Sequence, residues 1–231
     1  MDFFTEGLRR GAALVLSGDA EVFGITLLSL RIALVSTAFA CLFGVPLGFV
    51  VGTTRFFGRR AAITILNTAL AFPTVVIGLV AWGLLARSGP LGGLGLLYGW
   101  WAIVLAEVVL AIPVAAALTA AAVQGVDPRV RRTALTLGGG AWRAQWAVAR
   151  EARFALLAAV VVSFGRVVAE VGAAMIVGGN IRYRTRTLTT AVALATSQGD
   201  FALAMALGLV LLALALTVNV LLQVFQGRGD A

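Results

Sequence analysis

Three ionisable side chains lie deep within otherwise apolar stretches, Glu107, Arg166 and Glu170, while Arg31 lies near the outer end of its own. A charge inside a membrane-length segment is costly and needs a partner or a wet cavity, so these are the first places to look for chemistry. Arg166 and Glu170 are four residues apart, on one face of a helix, where they can pair with each other. A structural pair or subunit contact is the favoured reading over a substrate ligand. Glu107 is read as an acceptor for a donor on a neighbouring helix that the sequence does not name. The rest of the chain has little to react with. All 18 basic residues are arginine; lysine and histidine are absent. That excludes a P-loop lysine, a Schiff-base lysine, Ser-His and Cys-His catalytic pairs, and any histidine metal site. Cys41, the single cysteine, lies in an apolar run and reads as a packing residue. The expectation is a chain that is not an enzyme and holds no metal or cofactor of its own.

The elements that must position these residues are apolar throughout. Hydrophobic residues make up 61% of the chain and charged residues 12%, which leaves too little polar surface to cover a soluble fold. Uncharged runs at 32–54, 61–86 and 201–227 each reach the roughly 20 residues a helix needs to cross a bilayer core. Five spans are expected, over 26–52, 62–85, 99–123, 154–177 and 202–225, in an all-α polytopic membrane protein forming a single domain over residues 1–231. Residues 1–16 are amphipathic, with Arg9 and Arg10, and read as an interfacial helix rather than a sixth span. Their acidic start and short apolar stretch do not make a signal peptide. Gly44, Gly48 and Gly52 recur every four residues and, with Ala115–Ala117 and Ala120–Ala122, offer smooth surfaces for close helix–helix approach.

Arginine placement sets the expected orientation. With the N-terminus outside and the C-terminus inside, the inner side collects Arg55, Arg59, Arg60, Arg129, Arg131, Arg132, Arg143, Arg150, Arg153 and Arg228. The outer side holds Arg9, Arg10, Arg87, Arg182, Arg184 and Arg186. Positive charge concentrates on the cytoplasmic side of membrane proteins, which favours this topology. Trp82, Tyr98, Trp100 and Trp101 then gather near the outer interface, where amphipathic rings are at home. The net charge of +8 is thereby accounted for without nucleic acid, for which the chain has no motif.

The charge-dense segment 127–153 separates two spans and is long enough for two short helices, with three glycines at Gly138–Gly140. It resembles the coupling loop of the membrane subunits of ATP-binding-cassette importers, Glu-Ala-Ala-x3-Gly-x9-Ile-x-Leu-Pro. Arg132, Thr133 and Ala134 take the place of Glu-Ala-Ala, Gly138 that of the glycine, and Val148 that of the isoleucine. Arg132 replaces the acid, Thr133 the first alanine, and Arg150-Glu151 the Leu-Pro. Trp142 and Trp146, one helical turn apart, are the apolar anchors expected to dock into a partner. Further on, Gly165-Arg166-x3-Glu170-x-Gly172-x6-Gly179-Asn180-Ile181 is similar to a stretch of oxyanion importer permeases. The following Thr185-Arg186-Thr187-Leu188-Thr189-Thr190-Ala191 is closest to the tungstate branch of the molybdate and tungstate permeases. Ala71-Phe72-Pro73-Thr74-Val75-Val76-Ile77-Gly78-Leu79 and Ser88-Gly89-Pro90-Leu91-Gly92 agree with that branch, so the resemblance runs along nearly the whole chain.

The resemblance implies a type I importer permease fold with five core spans. It implies the transmembrane subunit of an ATP-driven importer that moves a tetrahedral oxyanion, tungstate first, across a bacterial or archaeal cytoplasmic (inner) membrane. It further implies a homodimer, two ATP-binding subunits holding ATP and magnesium, and an external substrate-binding protein. Pro73 frees a backbone carbonyl in mid-span and, with Thr74, is the candidate for the translocation path. Pro113 is left open between a plain kink and a cavity-lining bend. Asn180, Arg182, Arg184 and Arg186 would form an external rim; a solvated loop and a positive rim that receives an oxyanion or a binding protein both remain open. The alternatives are the same machine carrying molybdate, sulfate or another anion, and a stand-alone secondary transporter or channel. The second would favour an internal repeat, which the chain does not show, and would leave the arginine-rich loop without a purpose. An intramembrane enzyme lacks its histidine and lysine.

Overall fold

The computed structural model describes residues 2–227, and among them the only regular structure is helical. Helix α1 is Asp2–Leu16, and Asp19 then caps α2 (Ala20–Thr53) by accepting from the amides of Glu21 and Val22 at 3.0 and 3.1 Å. Next come α3 (Arg59–Leu70), α4 (Thr74–Leu85) and α5 (Trp100–Gln124). The loop segment folds as α6 (Pro128–Thr136) and α7 (Ala141–Glu151), followed by α8 (Arg153–Val168), α9 (Gly172–Gly178), α10 (Leu188–Ser197) and α11 (Phe201–Gly227). Arg228, counted above for orientation, lies outside the described residues.

Three helices are long and apolar enough to cross a membrane alone, α2, α5 and α11, and the number reaches five if each of two bent pairs is one span. The second and fourth expected spans are therefore not single rods. α3 and α4 meet at 95° across Ala71–Pro73, and α8 and α9 at 57° across Ala169–Val171. Proline explains the first break, since it cannot donate to the preceding turn and clashes with it. No proline marks the second. Pro113, in contrast, is carried inside an unbroken α5.

The bundle is built on the seam between α2 and α5, which run in the same direction. Gly44 lies against Ala115 and the Ile112 carbonyl, Gly48 against the backbone of Ala116, and Gly52 against Val123 and Ala120. Without a β-carbon on one side the two backbones approach closely, which is how helices gain packing where lipid supplies no hydrophobic drive. Ile32, Ile103, Val104, Ala173 and Val177 fill the main core where this seam meets α9. The expected interfacial helix packs on protein: α1 lies along α11, with Gly7 against the Phe201 ring and Gly11 against Ala202, Met205 and Ala206. Its charged face pairs internally, Glu6 with Arg10 at 2.6 Å and with Arg9 at 3.5 Å.

Candidate functional site

The two breaks meet. A side-chain carbon placed at Gly172 would lie 2.8 Å from the Thr74 hydroxyl oxygen and 2.8 Å from Val75, and one at Gly78 would lie 2.7 Å from the Ala173 backbone. α4 and α9 thus start side by side and run in the same direction. Pro73 is the N-cap of α4 and Thr74 its first residue. The first amides of a helix have no carbonyl within it to bond, and its N-terminal end carries a partial positive charge. Discontinuous helices whose half-helix N-termini face a cavity are how membrane proteins hold anions without a full cation. Among the residues at this junction only Arg166 is basic, and it is occupied.

Arg166 Nη1 donates to Glu170 Oε2 at 3.1 Å, as its spacing predicts, but not within one helix. Arg166 is in the last turn of α8 while Glu170 lies past its end, in the break. The other Glu170 oxygen accepts from the Ala173 amide at 3.0 Å, and the Glu170 carbonyl accepts from the Thr189 hydroxyl at 2.5 Å. Glu170 is buried, its carboxylate held by two donors and its carbonyl by a third, so the residue holds the bend in place. The partner of Glu107 is Ser36 of α2, whose hydroxyl donates to it at 2.7 Å. The sequence does not mark Ser36, and it places Thr189 only within the resembled motif without a role; hydroxyls are too common in these helices for type alone to mark them.

The stretch after α9 forms a buried lattice. Asn180 takes a left-handed backbone (φ 50°) and donates from Nδ2 to the Thr190 carbonyl at 3.1 Å. Thr185 donates to the Gly178 carbonyl at 2.6 Å, and Thr187 and Thr190 cap the start of α10 reciprocally. The arginines of the rim are unequal. Arg182 donates from Nε to Glu21 Oε1 at 3.0 Å and from Nη2 to Oε2, and Arg186 reaches the same carboxylate at 3.4 Å. That hydrogen-bonded carboxylate raises the Arg182 guanidinium above its already high range. Arg184 is exposed and has no acid partner among the described residues. Glu21 lies 161 residues from Arg182, and no local spacing could have announced it.

At the opposite end of the bundle the loop presents two faces. α6 closes with Gly138 in the left-handed region (φ 79°), its amide bonded to the Leu135 carbonyl and that of Gly139 to the Ala134 carbonyl. This is a Schellman closure, which glycine allows without strain. Outward stand Leu137, Trp142 and Trp146, 82%, 79% and 65% exposed, with Arg132 and Thr133 on the exposed side and Ala134 half-buried. Val148 faces the other way, packed with Val123 and Ala152, and seats α7 on the bundle. Large apolar residues left bare beside charge are the marks of an interaction surface.

A bundle with two broken spans meeting in its middle and an aromatic loop standing off one end is the architecture of a membrane permease subunit. The chain belongs to the family of inner membrane components of binding-protein-dependent transport systems, whose model matches residues 44–230. It is 36% identical over 185 residues to the tungstate uptake system permease protein TupB of Peptoclostridium acidaminophilum, covering 80% of this chain and 81% of that one. The TupB of Campylobacter jejuni is 37% identical over 185 residues, with 80% and 77% covered. The fold is that of a chain in a bacterial alginate ABC transporter solved in complex with an alginate pentasaccharide-bound periplasmic protein. The TM-score is 0.67 at 16% identity, with 91% of this chain and 80% of that one covered.

Proposed function

We propose that the chain is the membrane-spanning half of an ATP-driven importer for a tetrahedral oxyanion, tungstate in first place. The observation that carries this reading is the close approach of the α4 and α9 starts, where the Thr74 hydroxyl and the uncapped first turn of α4 lie beside Gly172 with no free cation among the residues named there. A dianion in transit needs donors, while a fixed positive site would trap it. The two tungstate permeases among its relatives support the choice of anion. Two copies enclose the path, an external binding protein delivers the anion, and two ATP-binding subunits grip α6 and α7. ATP and magnesium bind in those subunits, and this chain catalyses nothing. Reconstitution with the ATPase and binding protein tests it: tungstate-loaded binding protein is expected to raise ATP hydrolysis and tungstate uptake. Stimulation by sulfate or molybdate alone would move the substrate to that anion, and no stimulation by any of the three would reject an oxyanion importer.

Two further outcomes follow from this arrangement. With the N-terminus outside, the loop 127–153 is cytoplasmic and 179–200 external. In a Cys41→Ala background, a cysteine at position 143 is expected to react with impermeant reagent only from the cytoplasmic side. Labelling from outside would invert the topology. Trp142→Ala is expected to leave the permease folded, because its side chain is 79% exposed, yet to deplete the ATPase on co-purification. A docked aromatic anchor contributes about 2 kcal/mol or more, roughly a thirtyfold loss of affinity. Undiminished recovery of the ATPase would take Trp142 out of the interface.

A further inference from the structure

Where the ends of α2 and α5 meet the start of α6, the protein forms an open cavity of about 600 Å³. Its wall brings together Arg55 from the loop after α2, Arg59 from the start of α3, and Arg131 and Arg132 from α6. Asp127 is the only acid in the lining, and it is taken. Its Oδ1 accepts from the Arg129 amide at 2.8 Å and its Oδ2 from the Arg129 Nε at 2.9 Å, and Arg129 does not line the cavity. Arg59 donates to the Val51 and Gly52 carbonyls at 2.9 and 3.1 Å, capping α2 while its charge stays at the wall. Among the described residues no carboxylate pairs with Arg55, Arg131 or Arg132. The Thr53 and Thr54 hydroxyls donate back to their own helix, so recognition here falls to the guanidinium groups.

Four guanidinium groups on one concave wall repel one another, a cost that solvent lowers for the exposed Arg55, Arg131 and Arg132 and that a bound anion would remove. Guanidinium presents a planar fork of donors that matches two oxygens of a phosphate-like group, which sets it apart from a single ammonium. We propose that this cavity is a second anion site, separate from the α4–α9 junction, which takes a tetrahedral dianionic group on four arginines. On the orientation argued above it opens to the cytoplasm, and this part of the inference rests on that reading. A ligand there would tie α6, the first helix of the docking loop, to the ends of α2 and α3. The loop would then sense anion on the side where the transported anion is released. The cavity is much larger than one such anion, so the site is wet, weak and salt-sensitive.

The same chemistry is offered by a free oxyanion and by a phospholipid phosphate, and one experiment separates them. Full-length permease in nanodiscs of zwitterionic lipid is dialysed to equilibrium against tungstate at low ionic strength, and bound tungsten is measured by elemental analysis. One saturable site is expected, weaker than submicromolar and displaced by sulfate and phosphate. Arg55→Gln and Arg131→Gln are each expected to weaken it about tenfold, the loss of one charged hydrogen bond. Arg143→Gln, on α7 and outside the lining, is expected to leave it within about twofold. Arg131→Lys, which keeps charge but not the fork, should fall between, and monodisperse elution of every variant shows that folding is intact. In nanodiscs containing phosphatidic acid, competition lost in the same two variants would make the lipid headgroup the resident ligand. Absence of saturable binding in both lipids, or equal loss in Arg143→Gln, would overturn the site. No ATPase is present, so binding here without ATPase stimulation in reconstitution would sink the importer reading and leave the cavity standing.

Discussion

Gly48→Val is expected to abolish accumulation of folded permease. A β-carbon at Gly48 would fall within contact distance of the Ala116 backbone, with Gly44 and Gly52 making the same close approach one turn to either side. Overpacking a core costs roughly 1–3 kcal/mol when side chains can move aside. Here the obstacle is the backbone of a neighbouring helix, so α2 and α5 must separate along their length and the cost lies above that range. Total stability is only about 5–15 kcal/mol, so one such change removes a large share of it. Gly24→Ala in the same helix is the control, since nothing lies within 4 Å of that position. Yield and melting temperature of the detergent-solubilised protein decide it; a Gly48→Val protein that melts with the wild type would mean the seam is not what holds the spans together.

Glu170→Ala is expected to have the next largest effect. It removes the acceptor of Arg166 Nη1 and of the Ala173 amide, leaving both donors without a partner beside the bend. Breaking a buried pair costs about 3–5 kcal/mol. The Arg166 side chain is 36% exposed and can turn toward solvent, which places the expectation at the lower end. Glu170→Gln keeps an acceptor for Ala173 and should lose less, and Arg166→Gln less than Glu170→Ala. Thermal shift and the yield of folded protein are expected to fall in that order while the preference among tungstate, molybdate and sulfate stays as it was. Normal yield with a changed anion preference would show that the pair lines the path instead of bracing it.

The limits of the sequence are clearest at the second break. Pro73 is a local signal for the first, because proline removes a helical hydrogen bond, although Pro113 inside α5 shows that a proline alone does not end a helix. The bend at Ala169–Val171 depends on Glu170 capping Ala173 and on Thr189 reaching the Glu170 carbonyl from 19 residues away, and nothing at the site itself breaks a helix. The rim arginines make the same point. Arg182, Arg184 and Arg186 look alike in the chain, yet Glu21 engages two of them and leaves the third exposed.

The amino-acid order by itself determined the class of protein, where its apolar stretches lie, and the family. Hydropathy over about 20 residues, and arginine at the ends of apolar runs, are local quantities that act through solvent and need no fold to be read. It also marked the loop 127–153 and the glycine at Gly138, whose left-handed backbone is a property of one residue. The tertiary structure decided the rest: that α4 and α9 begin side by side, that Ser36 meets Glu107 across 71 residues, and that four arginines from two distant segments share one wall. Those arrangements come from close packing of smooth helix faces, where a backbone approach sets which side chains can touch, and no spacing along the chain encodes that distance.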